Sequence, residues 1–232
     1  SSRGRFYVGK GLSEMPNFPH LTFELIRKYD AIDNDSSPRR NWETLVSETP
    51  NGIDLEDKEN VVSLHLWLNR LKCRLPSART DPTLVRGHLV AWWKEWRFFL
   101  DELTKFDLRT ISDAHVSQAT EMFEHLQSGR VERTRIRHFG PVAASKTLMA
   151  INPNIFSAWD DKIAHAIYGG NTTSHYKQHL IETQKCAIKV FPLDAESALI
   201  DENNRIGIGK LIDEALYWRV SKNLIIEQCP DK

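Results

Sequence analysis

One stretch decides the predicted fold, residues 130–168, with the sequence RVERTRIRHFGPVAASKTLMAINPNIFSAWDDKIAHAIY. Its pattern predicts a helix, a tight turn at residues 138–141, a second helix, a loop, an acidic pair and a third helix. Gly140 can adopt the positive φ that such a turn requires, and Pro141 suits a first helical position, where no N–H is needed. The backbone N–H groups after the turn are therefore expected to be free to bind an anion such as phosphate.

Basic residues are concentrated in this stretch, although the whole chain has 31 Lys and Arg against 31 Asp and Glu. Five cations minus one acid give a local charge of +4, from Arg130, Arg133, Arg135, Arg137 and Lys146 against Glu132. One interpretation is a solvated stripe, because Arg130, Arg133 and Arg137 follow a helical spacing. The adjacent turn favours a phosphate-binding site instead, built on the N–H groups of Gly140 and Val142. The predicted DNA-binding residues are Arg137, His138, Gly140, Pro141, Val142 and Lys146.

The turn and the acidic pair together resemble a known family. The motif FGPVAA at residues 139–144 resembles the hairpin of the helix-hairpin-helix DNA glycosylase superfamily. Residues 158–163, AWDDKI, resemble the segment that supplies the essential aspartate of this family. Asp160 follows Gly140 by twenty positions (160 minus 140), which is the spacing of the endonuclease III branch. The resemblance implies an enzyme that binds double-stranded DNA and removes a damaged or modified base from it.

Apolar residues at helical spacing elsewhere in the chain predict an all-α fold. Helices are predicted over residues 23–32, 38–46, 55–75, 82–102, 112–127, 172–190 and 209–228, and a short helix is predicted to start at Pro192. Gly129 is predicted to end the helix over residues 112–127 as a left-handed C-cap. The resemblance implies two helical lobes, in which residues 1–55 pack with the C-terminal lobe, residues 153–232. The other lobe, residues 56–152, would contain the hairpin at about 130–151, and the active cleft would lie between the lobes.

Base removal sets the chemical requirement for the site. Breaking the bond between base and deoxyribose gives the sugar oxocarbenium character, so an anion and a placed water are needed near the anomeric carbon. The resemblance assigns this electrostatic role to Asp160, and the base must first leave the duplex to reach it. An alternative role for Asp160 or Asp161 is to cap the following helix, and the two roles are compatible. We assign catalysis to Asp160, and a capping or supporting role to Asp161 and Lys162.

The hairpin also bears on the nucleophile. Bifunctional members of the family use a hairpin lysine that forms a Schiff base with the sugar, and the matching position here is Val142. This departure favours a monofunctional glycosylase in which water attacks. Lys146 lies one helical turn after Val142 and could reach the same space, which would give lyase activity. A phosphate or solvent contact is the other interpretation of Lys146.

Several tryptophans are candidates for the pocket that receives the base. Trp92, Trp93 and Trp96 cannot all face one side of a helix, so at least one is expected to face a groove, a partner or solvent. These residues and Trp67 could stack on a flipped base, with Trp159 at the mouth of the pocket. Core packing between the lobes is the alternative role for them.

Composition argues against disulfide-rich, cysteine-ligated metal and membrane-spanning proteins. The three cysteines are odd in number and far apart, which argues against a disulfide framework, a four-cysteine metal site or an iron–sulphur cluster, and no cofactor is expected. No apolar run is long enough to span a membrane and the N-terminal residues lack the apolar core of a signal peptide, so an intracellular monomer is expected.

Two rival functions follow from the same residues. His175 and His179 stand four positions apart on a predicted helix, as in some metal-dependent hydrolases, but the Glu of the zinc-protease motif is missing. A non-catalytic helix-hairpin-helix module that binds DNA is the second rival, and it has no need for an aspartate at this spacing. The sequence leaves open which base is removed, and whether the role is repair or removal of modified bases from foreign DNA.

Overall fold

A computed structural model describes residues 18–34, 36–76, 81–133, 136–191 and 206–223. These residues form nine α-helices and one π-helical turn, without a β-strand. The helices are α1 Phe23–Asp33, α2 Ser37–Glu48, α3 Lys58–Arg70, α4 Thr83–Leu103, α5 Asp113–Ser128, α6 Pro141–Ile151, α7 Asp161–Tyr168, α8 Thr173–Val190 and α9 Ile208–Leu216, followed by the π-helical turn Tyr217–Ser221. The all-α class is confirmed for this part of the chain. The predicted helix from Pro192 and the end of the predicted last helix lie outside the described residues.

Side-chain caps start most of these helices. Oxygen atoms of the residue before the helix accept a hydrogen bond from an N–H of the first turn at Thr22, Ser36, Asp57, Ser112, Asp160 and Thr172. Such caps satisfy N–H groups that have no partner inside the helix. The predicted starts at Thr22 and Ser112 are confirmed.

The segment before α6 differs from the prediction. Residues 129–133 and 136–140 are not helical, and an isolated antiparallel bridge joins Arg130 to His138. Phe139 N–H donates to the Gly129 carbonyl at 2.8 Å, so the loop is closed on itself. The spacing of the arginines was a misleading signal for a helix, because the Val131 N–H donates to the Arg137 carbonyl at 2.9 Å, across the loop and not along a helix. The predicted tight turn between two adjacent helices is therefore a longer loop that ends at α6.

Gly129 is not a left-handed cap, since its φ is −59°. The ring of His88 occupies the space that a Cβ at position 129 would take. The same ring contacts Phe139, with 5.7 Å between ring centres, and its Nε2 lies 2.8 Å from the Leu126 carbonyl. A glycine is needed at this position to admit His88, and not to reverse the helix.

Helix packing brings distant parts of the chain together. The first and last described helices, α1 and α9, pack against each other, and α8 packs against both α5 and α9. Helix α6 packs against α3 and α5, and α7 contacts the π-helical turn. This arrangement places the end of α3, the inner face of α6, the start of α7 and one side of α9 around a common opening.

Close backbone packing fixes the start of α9. A Cβ added at Gly209 would lie 2.4 Å from the Phe156 carbonyl oxygen, and the Lys210 N–H donates to the Pro153 carbonyl at 3.0 Å. We expect Gly209→Ala to lower the free energy of unfolding by about 1–3 kcal/mol, because the helix must move away from backbone atoms.

Denaturant unfolding measures this effect, and Gly87→Ala in α4 is the matched control. A Cβ at Gly87 meets nothing within 4 Å, so alanine is expected to stabilise the helix by about 0.5–1 kcal/mol. Equal stability of Gly209→Ala and the wild type would show that α9 does not rest on residues 153–156.

Candidate active site

A cleft of about 700 Å³ opens where α3, α6, α7 and α9 meet. Its volume falls within the range of small-molecule sites, about 300–1,000 Å³. Eight of the predicted site residues line it, namely Trp67, Arg137, Val142, Lys146, Trp159, Asp160, Asp161 and Lys162. The fold thus brings α6 and the predicted catalytic aspartate to one opening.

Asp160 combines the two roles predicted for it. Its Oδ1 accepts a hydrogen bond from Ile163 N–H at 2.8 Å, which makes Asp160 the N-cap of α7. Its Oδ2 accepts a second one from Ser221 Oγ at 2.5 Å. The side chain is half-buried, and the two bonds fix the carboxylate on the wall of the cleft at the positive end of α7.

The capping role considered for Asp161 is wrong. Asp161 is the first residue of α7, whereas Asp160 has the extended backbone of an N-cap, with φ −106° and ψ 173°. The exposed Asp161 carboxylate accepts from Asn171 Nδ2 at 3.0 Å. Lys162 is also exposed and its Nζ donates to the Ser221 carbonyl at 3.4 Å, so the two residues that follow Asp160 lie towards the outside of the cleft.

Lys146 lies on the α6 wall of the same cleft, next to Val142. Burial raises the pKa of the Cys73 thiol, and the charge of Lys146 acts against this shift while Asp161 adds to it. Lys146 and Cys73 line the same cleft. Its half-buried ammonium and the Asp160 carboxylate line one cavity.

The third wall, formed by α9, was not predicted from the sequence. Glu214 Oε1 accepts from Lys210 Nζ at 2.5 Å, and Oε2 accepts from Arg39 Nη2 at 2.9 Å. Arg39 also donates to Asp30 at 2.5 Å. Burial raises the pKa of Glu214, while Lys210 and Arg39 act in the opposite direction.

Asp213, next to this network, is paired only loosely. Its Oδ2 lies 4.0 Å from Lys210 Nζ, and its side chain is 19% exposed to solvent. Burial raises the pKa of Asp213 to about 6, and the charges of Lys210 and Lys146 act against this shift. The sequence contains a feature that could have predicted this wall of the cleft. Lys210, Asp213 and Glu214 are charged residues in a helix that is otherwise apolar.

Aromatic residues form the inner part of the cleft. Trp67 and the unpredicted Trp42 pack edge to face, with 5.9 Å between ring centres, and Lys210 Nζ lies 5.3 Å from the Trp42 ring centre. Trp159 is fully buried, and its ring contacts Tyr176 at 5.4 Å between centres. Trp159 therefore forms the wall of the cleft, and its predicted position at the mouth is wrong.

The tryptophans of α4 lie elsewhere. Trp92 and Trp93 are buried, and the Trp92 indole donates to the Met122 carbonyl at 3.0 Å. Trp96 is half-buried, with its indole N–H donating to His125 Nδ1 at 3.0 Å. None of the three lines the cleft described above. Their predicted role in the base pocket is not supported, because they pack between α4 and α5.

The predicted phosphate site at the turn is only partly available. Gly140 has the predicted positive φ, 86°, and Pro141 starts α6. However, Gly140 N–H donates to the Gln127 carbonyl at 2.9 Å, so the predicted phosphate donor is already used. His138 Nδ1 lies 2.5 Å from the Ser128 carbonyl, and neither residue lines the cleft. Val142 remains at the cleft as the first residue of α6 with an N–H.

The mouth of the cleft is rich in cations. The exposed ones are Arg70, Lys72, Arg74, Lys162 and Lys222. Arg137 Nη2 donates to the Arg74 carbonyl and joins the loop before α6 to the loop after α3. Lys72 and Arg74 have positive φ values of 62° and 56°, which are unusual outside glycine. The carboxylates of Asp33 and Glu214 lie deeper and are paired with the buried cations Arg39 and Lys210, so the exposed rim of the cleft is cationic and its buried part is a network of ion pairs.

The histidine pair does not form a shared site. His175 Nδ1 lies 3.4 Å from the Thr172 N–H at the start of α8, whereas the buried His179 contacts Tyr168 Oη at 3.1 Å. Within the described residues, no group of three or more His, Cys, Asp or Glu side chains could hold a metal ion.

None of the described helices combines the length and apolar character that crossing a bilayer requires.

Comparison with known proteins gives no family assignment. The chain matches no family model, no curated protein and no solved structure.

Proposed function

We propose that this chain is a monofunctional DNA glycosylase of the helix-hairpin-helix kind. It hydrolyses the N-glycosidic bond of a damaged or modified base that has been flipped out of the duplex. The observation that carries the proposal is the position of Asp160, a carboxylate fixed by two hydrogen bonds inside a cleft with a cationic rim. The resemblance of residues 139–144 and 158–163 to the glycosylase motifs supports the same assignment.

Asp160 supplies the charge that the reaction needs. As the bond between base and sugar breaks, the sugar gains positive charge, and a fixed anion stabilises that state more than the ground state. The hydrogen bonds from Ile163 and Ser221 hold the carboxylate in place, so little reorganisation is needed during the reaction. The attacking water bonds to the anomeric carbon and gives its proton to Asp160.

The cationic rim suits the DNA backbone. Arg70, Lys72 and Arg74 lie on one side of the opening, and Lys162 and Lys222 are exposed on the side of the π-helical turn. Phosphates that flank a flipped nucleotide can bind these cations while the base enters the cleft. The exposed cations lie at the rim and the inner part of the cleft is lined by Trp42, Trp67 and Trp159, so the rim suits phosphates and the interior suits a base.

One observation favours a second candidate, a glycosylase with lyase activity. Lys146 lines the same cleft as Asp160, although the family position of the catalytic lysine is Val142. An amine attack would give a Schiff base that borohydride traps. We expect no covalent adduct with the wild type, and an adduct that is lost in Lys146→Ala would replace the monofunctional mechanism.

The proposed function is tested with duplex oligonucleotides that each contain one altered base. The panel comprises alkylated purines, oxidised purines and bulky modified pyrimidines, with an unmodified duplex as control. We expect release of the free base, detected by mass spectrometry, and an alkali-labile abasic site from at least one duplex. Binding to the whole panel without base release would favour the non-catalytic DNA-binding module.

A further inference from the structure

Two adjacent acids of α9 differ in how completely they are paired. Both oxygens of Glu214 accept hydrogen bonds from buried cations, at 2.5 and 2.9 Å. These bonds explain why a carboxylate can be buried at this position. Asp213 has only Lys210 within ion-pair distance among the described residues, at 4.0 Å. Its side chain lines the cleft that also holds Asp160. The structure thus leaves one poorly paired carboxyl group beside the proposed position of the substrate.

We propose that Asp213 is the second acid of the reaction and donates a proton to the base as the base leaves. This inference rests on the proposed glycosylase function. Asp160 accepts hydrogen bonds from an N–H and an O–H, an arrangement that suits a carboxylate. Among the described residues, no N–H or O–H group donates a hydrogen bond to Asp213, so this carboxyl group can carry a proton without losing a hydrogen bond.

The step balances as a general acid reaction. The bond from the anomeric carbon to the base nitrogen breaks, its electron pair moves to the base, and the Asp213 proton neutralises the base. The water oxygen bonds to the anomeric carbon, and the water proton goes to Asp160. Proton exchange with solvent then restores both carboxyl groups. Protonation makes a neutral base a better leaving group, a form of catalysis typically worth about 100-fold or more.

The charged groups around Asp213 support this role. Burial raises its pKa to about 6, Lys210 and Lys146 act against the shift, and Asp160 and Asp33 add to it. These groups come from α9 itself, from α6, from the start of α7 and from α1. An ionised Asp160 therefore favours a proton on Asp213. The proton is available near pH 6 and is lost at higher pH.

Single-turnover rates of base release between pH 5 and 9 test the inference, with a neutral base that the wild type releases. We expect Asp213→Asn to lower the rate at pH 6 by about 100-fold and to remove the fall in rate above pH 6. Asp213→Glu should restore part of the rate together with the pH dependence. Asp101→Asn, on the exposed face of α4, is the matched control and should behave like the wild type.

Folding and function are separated in the same experiment. Because the pKa of Asp213 is raised in the folded state, its contribution to stability is present at low pH and is lost as the pH rises through about 6. At pH 8 the Asn variant should therefore be at least as stable as the wild type.

Three outcomes would overturn the inference. Wild-type rate and pH profile in Asp213→Asn would exclude a proton donor at this position. A slower variant with an unchanged pH profile would assign Asp213 a structural role. If the wild type releases no base from any duplex of the panel, the glycosylase function itself fails, and this inference fails with it.

Discussion

Asp160→Asn should lower the single-turnover rate of base release by at least about 100-fold, which is the usual cost of removing one preorganised electrostatic group. The amide has nearly the same shape as the carboxylate but carries no charge. Asparagine is also a good N-cap, so Ile163 N–H keeps an acceptor and α7 keeps its start. The variant should therefore fold and bind DNA like the wild type while the chemical step is slow.

Asp57→Asn is the matched control for this experiment. Asp57 is the N-cap of α3, its Oδ1 accepts from Glu59 N–H at 2.8 Å, and it does not line the cleft. The same chemical change at the same kind of helix position should leave base release unchanged. A rate loss of equal size in both variants would attribute the effect to helix capping, and a wild-type rate in Asp160→Asn would exclude Asp160 as the electrostatic stabiliser.

Local signals were sufficient for the helix starts and for the α6 turn. The positive φ of Gly140, the position of Pro141 and the cap at Ser112 follow from the conformational limits of single residues. The same signals did not distinguish Asp160 from Asp161 as the cap of α7. The same local logic was wrong for residues 130–133 and 136–137, which are not helical although Arg130, Arg133 and Arg137 follow a helical spacing. The N–H of Val131 donates to the Arg137 carbonyl across this segment, and spacing along the chain does not show such partners.

The α9 wall of the cleft depends on contacts across the whole chain. Arg39 and Glu214 form a buried ion pair although they are 175 positions apart. From sequence alone, the i,i+4 spacing of Lys210 and Glu214 resembles an ordinary surface pair. The sequence predicted the α4 tryptophans and not Trp42 as residues of the base pocket. Only tertiary packing decides which aromatic ring faces a cleft.

Lys210→Met should lower the free energy of unfolding by about 3–5 kcal/mol, the typical cost of removing one partner of a buried ion pair. Lys210 and Glu214 have side-chain exposures of 5% and 4%, so water cannot replace the lost ammonium. Methionine fills a similar volume and can remain in contact with the Trp42 ring. The loss should therefore come from the Glu214 carboxylate, whose Oε1 has lost its donor while Oε2 keeps Arg39, and not from a cavity.

A pair on α8 with an exposed lysine provides the control. Lys185 Nζ lies 2.9 Å from Glu182 Oε1 at i,i+3 spacing, and the side chains of Lys185 and Glu182 are 55% and 11% exposed. Lys185→Met should change stability by less than about 1 kcal/mol, because an ion pair whose ammonium stays in water contributes little. Denaturant unfolding of both variants at pH 8 compares the two sites directly. Similar small losses would mean that solvent reaches the Lys210 site, and the buried ion-pair network of Lys210, Glu214 and Arg39 would then have to be abandoned.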